Sequence, residues 1–140
     1  MRSRADFKAQ RDKLGLSLHD VAELMGVQER SVRRWEAEGG SRIPEAAWKL
    51  LNDLEGRYNF AVMSAVEAVL DSGAKNVELT YYRNQREYDE QGRDEGPHGL
   101  ANAIAREVAL ELKVEGVNVS MRFPEERGAA LEATLDRTRE

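Results

Sequence analysis

Gly15-Leu16-Ser17-Leu18-His19-Asp20-Val21-Ala22-Glu23-Leu24-Met25-Gly26-Val27 reads as one short helix bracketed by glycines. Ser17 is a good N-cap residue, and Asp20 stands three positions on, where a capping-box partner belongs, although Glu or Gln is preferred there. Leu18, Val21, Ala22 and Met25 form a short apolar stripe at helical spacing. Gly26 permits a left-handed turn, and Val27 after it is expected to plug the core. Upstream, residues 4–14 place Phe7, Gln10/Arg11 and Leu14 round one face of a first helix that stops at Gly15. Downstream, a third helix starts after Val27 with Gln28 as a weak cap. It turns Val32 and Trp35 inward and Arg30, Arg33 and Arg34 outward, and ends at Gly39-Gly40. Ile43-Pro44 opens a fourth helix with Pro44 at the first helical position, and Ala47, Leu50, Leu51 and Leu54 pack it back on the others. Gly56 is expected to break or bend it.

The second half changes character. Tyr58, Val62, Val66 and Val69 mark an apolar connector helix, which also carries Phe60, Met63 and Ala65, more apolar width than one small domain needs. Val77, Leu79 and Tyr81 alternate with polar neighbours as a strand, and Asn84–Gln91 suits a short charged helix. After the Gly92–Gly96 loop, Pro97 opens a helix in which Leu100, Ile104, Val108 and Leu112 recur every four residues. Val117, Val119, Met121 and Phe123 alternate as a second strand, ended by Pro124. The remainder is polar, with a frayed helix expected around residues 129–135. The predicted fold class is therefore α+β: an all-α domain over 1–57, a connector helix over 58–74, a β-α-β unit over 75–124 and a polar tail over 125–140. Two strands and one helix cannot bury their own apolar faces, so a second copy of the chain is expected to cover them.

Charge divides along the same line. The net charge is −5. Residues 1–57 hold 11 Lys/Arg and 10 Asp/Glu, whereas residues 58–140 hold 10 and 16. Phosphate affinity follows local cations rather than the whole-chain charge. The chain has no cysteine, which excludes disulfides, thiolate metal sites and a cysteine nucleophile. His19 and His98 stand alone, so no metal or other cofactor is expected. Without a glycine-rich phosphate loop or clustered ligands, no reaction can be assembled, and the chain is not expected to be an enzyme. The charged start Met1-Arg2-Ser3-Arg4 does not fit a secretory signal and no stretch suits a membrane span, so a cytoplasmic protein with no membrane partner is expected.

The Gly15–Val27 stretch resembles the helix-turn-helix of Cro- and CI-type repressors: a Gly-Leu-Ser start, a buried Ala and a Gly-Val turn. The resemblance implies double-stranded DNA as partner and makes Arg11 and Glu36 a buried bridge between the first helix and the end of the third. It assigns base reading to Gln28, Glu29, Arg30 and Arg34 at the N-terminal part of the recognition helix. An arginine can grip guanine in bidentate fashion, and Glu29 can accept from a cytosine amino group. Arg33 lies between the groove-facing and strand-facing sides. Ser17, Gly39, Gly40, Ser41 and Arg42 suit phosphate contacts through short side chains and backbone N–H groups. Trp35 belongs in the core on this reading, with packing against a sugar-phosphate strand as the alternative. Leu18 departs from the family pattern, which often has a phosphate-contacting Gln there.

A narrower resemblance covers about residues 5–123. Arg30-Ser31-Val32-Arg33-Arg34-Trp35-Glu36 followed by Arg42-Ile43-Pro44-Glu45, then Leu79-Thr80-Tyr81-Tyr82-Arg83 and the helix and strand over 101–123, is similar to small autorepressors associated with anti-CRISPR operons. It implies a homodimer on an inverted repeat. Val62, Val66, Val77, Leu79, Tyr81, Ile104, Val108, Leu112, Val119 and Met121 are the candidate dimerisation residues. An antitoxin that autoregulates through its N-terminal half and binds a partner protein through its C-terminal half is the alternative. A basic recognition face also fits an RNA hairpin, which keeps RNA open as a partner.

Overall fold

The computed structural model describes residues 2–127. The fold is α+β, with α1 (Arg4–Lys13), α2 (Leu18–Met25), α3 (Glu29–Glu36), α4 (Glu45–Ser72), β1 (Asn76–Thr80), α5 (Gln85–Gln91), α6 (His98–Val114) and β2 (Asn118–Arg122) in order. The chain forms two compact units that divide between Ala61 and Val62, inside α4. The tail expected over 125–140 lies outside the described residues beyond Arg127, and so does the helix expected around 129–135; residues 124–127 are helical.

In the first unit, Ser3 caps α1 and Ser17 caps α2, each in a reciprocal box with the Asp three residues on. Asp thus performs the task for which Glu is preferred. Gly26 closes α2 in the left-handed conformation (φ 68°). The Val27 N–H reaches back to Ala22 O at 3.0 Å, the long-range bond of a Schellman ending. That turn carries Val27 to the surface, where it is 37% exposed, so it does not plug the core as expected. The core is built from Phe7, Leu14, Leu16, Val21, Ala22, Val32, Trp35, Ala47, Trp48 and Leu51. Phe7 sits edge-on to both Trp35 and Trp48, with ring centroids 6.0 and 5.3 Å away. Trp35 is accordingly a core residue, and α3 is anchored through it and Val32.

The break expected at Gly56 does not occur, since α4 runs unbroken through it. A glycine in a helix interior costs about 1 kcal/mol against alanine. Leu54 and Tyr58, buried on either side, offset that cost by about 1.5–3 kcal/mol for each fully buried large side chain. Polar ties add to this packing: the Gln10 amide donates to Asn52 Oδ1 and Glu55 Oε2 at 2.9 and 2.7 Å, and Lys13 Nζ donates to Glu55 Oε1 at 2.9 Å.

In the second unit, β1 and β2 pair in parallel, with Val77 opposite Val119 and Leu79 opposite Met121. The intervening α6 packs on both strands. Leu100, Ala103, Val108, Ala109 and Leu112 bury its inner face. Asn102 is the polar member of that buried face. It accepts from Tyr82 N–H at 2.9 Å and donates to Tyr82 O at 2.8 Å, pinning the chain where it leaves β1. Among the described residues, no helix is long and apolar enough to cross a membrane.

Candidate nucleic-acid interface

Helix α3 is a short element with two contrasting faces. Val32 and Trp35 bury one side, whereas Gln28, Glu29, Arg30, Arg33 and Arg34 are all exposed. The five residues expected to read bases therefore share the outer surface of one helix and its cap. Their environments differ. Arg33 donates to Glu29 one turn earlier at 3.3 Å, so these two partly neutralise each other. Arg30 and Arg34 make no side-chain hydrogen bond or salt bridge among the described residues, nor does Arg42 in the following loop. These three guanidiniums are available to a polyanion without breaking an internal pair.

The end of α3 comes earlier than Gly39-Gly40. Ala37 is already extended (φ −80°, ψ 149°), and Gly40 N–H turns back to Ala37 O at 3.0 Å. Gly39 takes φ 69°, a conformation that favours glycine, while Gly40 is required for a different reason: a Cβ there would run into the Arg34 carbonyl. The loop is thus folded tightly against the last turn of α3. Of the expected phosphate contacts, Gly39, Ser41 and Arg42 are exposed in this loop. The Gly40 N–H is already taken within it. Ser17, at the start of α2, has its N–H donated to Asp20 Oδ2 at 2.8 Å, while its Oγ accepts from Asp20 N–H at 3.0 Å. Only its hydroxyl proton is left for an external acceptor.

Two arginines that sequence reading left without a base-reading or phosphate role hold the interface from behind. Arg11 grips Glu36 with Nε to Oε2 at 2.6 Å and Nη2 to Oε1 at 2.7 Å, and its Nη1 donates to Leu16 O at 2.9 Å. This is the bridge expected from the family resemblance, and it joins α1, the α1–α2 turn and the end of α3. Its hydrogen bond with Glu36 raises the Arg11 pKa further, against the opposing effect of burial. Arg4 makes a second tie that the sequence does not mark. Its Nη1 donates to Trp35 O at 2.7 Å and Ser41 O at 2.8 Å, and its Nη2 to Gly40 O at 2.6 Å. No side-chain motif marks such a contact, because every acceptor is a backbone carbonyl. Arg2 adds a third tie, stacking 4.7 Å from the Trp48 ring while bonded to both Glu45 carboxylate oxygens.

The residues expected at a dimer contact fall into two groups. Val62, Val108 and Leu112 are buried within the chain. Val66, Val77, Leu79, Tyr81, Ile104, Val119 and Met121 are half-buried. The large apolar side chains left exposed in the second unit are others: Met63 and Leu70 on α4, and Leu110 and Val114 on α6, the last 78% exposed. Sequence periodicity passes over Leu110 and Val114 because they lie off the repeating Leu100–Leu112 stripe.

No curated protein matches this chain. Residues 7–53 match the helix-turn-helix family model, a span that runs from within α1 through α2 and α3 into the first turns of α4. The N-terminal unit is thus a helix-turn-helix domain of the kind carried by DNA-binding transcription regulators.

Proposed function

We propose that the chain is a sequence-specific repressor that binds an inverted-repeat operator as a homodimer and reads bases through α3. The observation that carries this reading is the set of unpaired guanidiniums at Arg30, Arg34 and Arg42, on a helix and loop whose other side is fixed by Val32, Trp35 and the Arg11–Glu36 bridge. A bidentate arginine–guanine pair discriminates against the wrong base by about 1–3 kcal/mol. One small domain makes few such contacts. Two linked copies multiply the effect, because the second contact becomes intramolecular.

The exposed Met63, Leu70, Leu110 and Val114 support pairing through the second unit. The acidic balance of residues 58–140 suits a half that is kept away from phosphates. By the narrower resemblance, the repressed promoter would include the chain's own, in the manner of the anti-CRISPR-associated autorepressors. The chain is expected to work in the cytoplasm without catalysing a reaction. Selection of bound sequences from random DNA duplexes, paired with sedimentation of the free protein, tests this function. An enriched inverted repeat and a dimer mass are the expected results. A chain that stays monomeric and folds its second half only with another protein would favour the antitoxin reading. Selection of a hairpin transcript over any duplex would favour RNA.

A further inference from the structure

Arg4 occupies the first position of α1, where a cation stands at the unfavourable end of its own helix dipole. Ser3 and Asp6 already cap that terminus without it. The position makes sense from the other side. The guanidinium lies at the C-terminal end of α3, where unpaired helix carbonyls and the dipole both favour a cation. It holds Trp35 O, the last-turn carbonyl, together with Gly40 O and Ser41 O of the loop, all at 2.6–2.8 Å, and Arg34 O lies at 3.5 Å. A planar fork with five N–H donors suits several carbonyls at fixed angles, whereas a lysine ammonium offers one compact point charge.

We propose that Arg4 is a positioning residue for DNA binding: it locks the α3–α4 loop onto the end of the recognition helix and so presents Arg34, Ser41 and Arg42 in one fixed arrangement. The inference rests on the DNA-reading function proposed above. Its consequence is specific. Arg4 turns both hydrogens of Nη1 and one of Nη2 inward, so its role is to hold the loop rather than to act as a phosphate ligand, although it is a cation at the edge of the interface. Gly40 belongs to the same device, since only a residue without a Cβ lets the loop lie against Arg34 O.

Arg4→Gln and Arg4→Lys, compared with wild type on the duplex that wild type selects, test the inference across a salt series. Both variants are expected to bind at least tenfold more weakly, with Arg4→Lys no better than Arg4→Gln although it keeps the charge. In the free variants, the Gly40 amide should exchange hydrogen faster while the amides of Phe7 and Leu51 keep wild-type protection. That second readout separates a loosened loop from an unfolded domain. Wild-type binding retained by Arg4→Lys, with a slope reduced by about 0.9 in Arg4→Gln, would make Arg4 a phosphate contact and overturn the inference. Affinities within twofold of wild type in both variants, or unchanged Gly40 exchange, would overturn it equally. A wild-type protein that enriches no duplex removes the DNA-reading function and this inference with it. A wild type that binds while its variants bind as well removes Arg4's role alone.

Discussion

Arg11 and Glu36, 25 positions apart, meet in a two-point bridge whose side chains are only 10% and 11% exposed. The bridge fixes the last residue of α3 to the first helix of the domain. Removing one partner from such a shielded pair leaves the other charge uncompensated, which costs about 3–5 kcal/mol. Arg11→Ala and Glu36→Ala are each expected to lower stability by about that amount in urea unfolding. A double-mutant cycle should then show strong coupling, because the second removal abolishes a charge already stranded by the first. Additive losses would mean that the pair is not a unit.

Gly40→Ala places a methyl group against the Arg34 carbonyl. Backbone cannot yield there as a flexible side-chain end could, so the loop must open. Weaker operator binding is expected, with a smaller loss of thermal stability than a core truncation such as Phe7→Ala, which costs about 3–5 kcal/mol. Gly40→Ala binding as tightly as wild type would show that the loop contributes nothing to recognition.

The features legible in the sequence were those written in side chains with local partners. The Ser17–Asp20 box and the Gly26 turn are four- and one-residue signals whose physics is complete within the segment. Alternating Val77/Leu79 and Val119/Met121 announced the strands in the same way, and their parallel pairing follows the helix between them. What stayed hidden depends on tertiary neighbours. Arg4 binds carbonyls more than 30 positions away, and any sequence supplies carbonyls. The break suggested by Gly56 is absent, since local propensity ignores the packing of Leu54 and Tyr58. Val27 looked like core because apolar character does not tell which way a left-handed turn aims it.

Acid should loosen the tie between α1 and α4 at Glu55. The hydrogen bond from Lys13, supported by the one from Gln10, holds its carboxyl below the ordinary 4.5, against the upward push of burial. A carboxylate with a lowered folded pKa stabilises the fold fully above its unfolded value, and that contribution disappears as pH falls through the lowered one. Wild-type stability should therefore drop below about pH 4.5 more steeply than that of Glu55→Gln. Parallel pH profiles for the two proteins would contradict the assignment.

Leu110 and Val114 on α6 offer a direct way to separate dimerisation from folding. Both are exposed in the chain, so Leu110→Glu and Val114→Glu should alter the stability of an isolated subunit by only about 0.5 kcal/mol. If a second copy covers this face, sedimentation equilibrium will show the double variant as a monomer that keeps its helical circular-dichroism signal. A dimer mass retained by that variant would place the contact elsewhere.

The proposed function has α3 read bases through Arg34 and Arg30 from a position held by Arg11, Glu36 and Arg4. Its most direct test is to repeat the random-duplex selection with Arg34→Ala, an exposed and unpaired position whose loss should leave the fold intact. The expected result is an inverted repeat in which one base pair per half-site loses its preference while the others keep theirs. An Arg34→Ala motif identical to that of the wild type, or no enriched motif from the wild type itself, would contradict it.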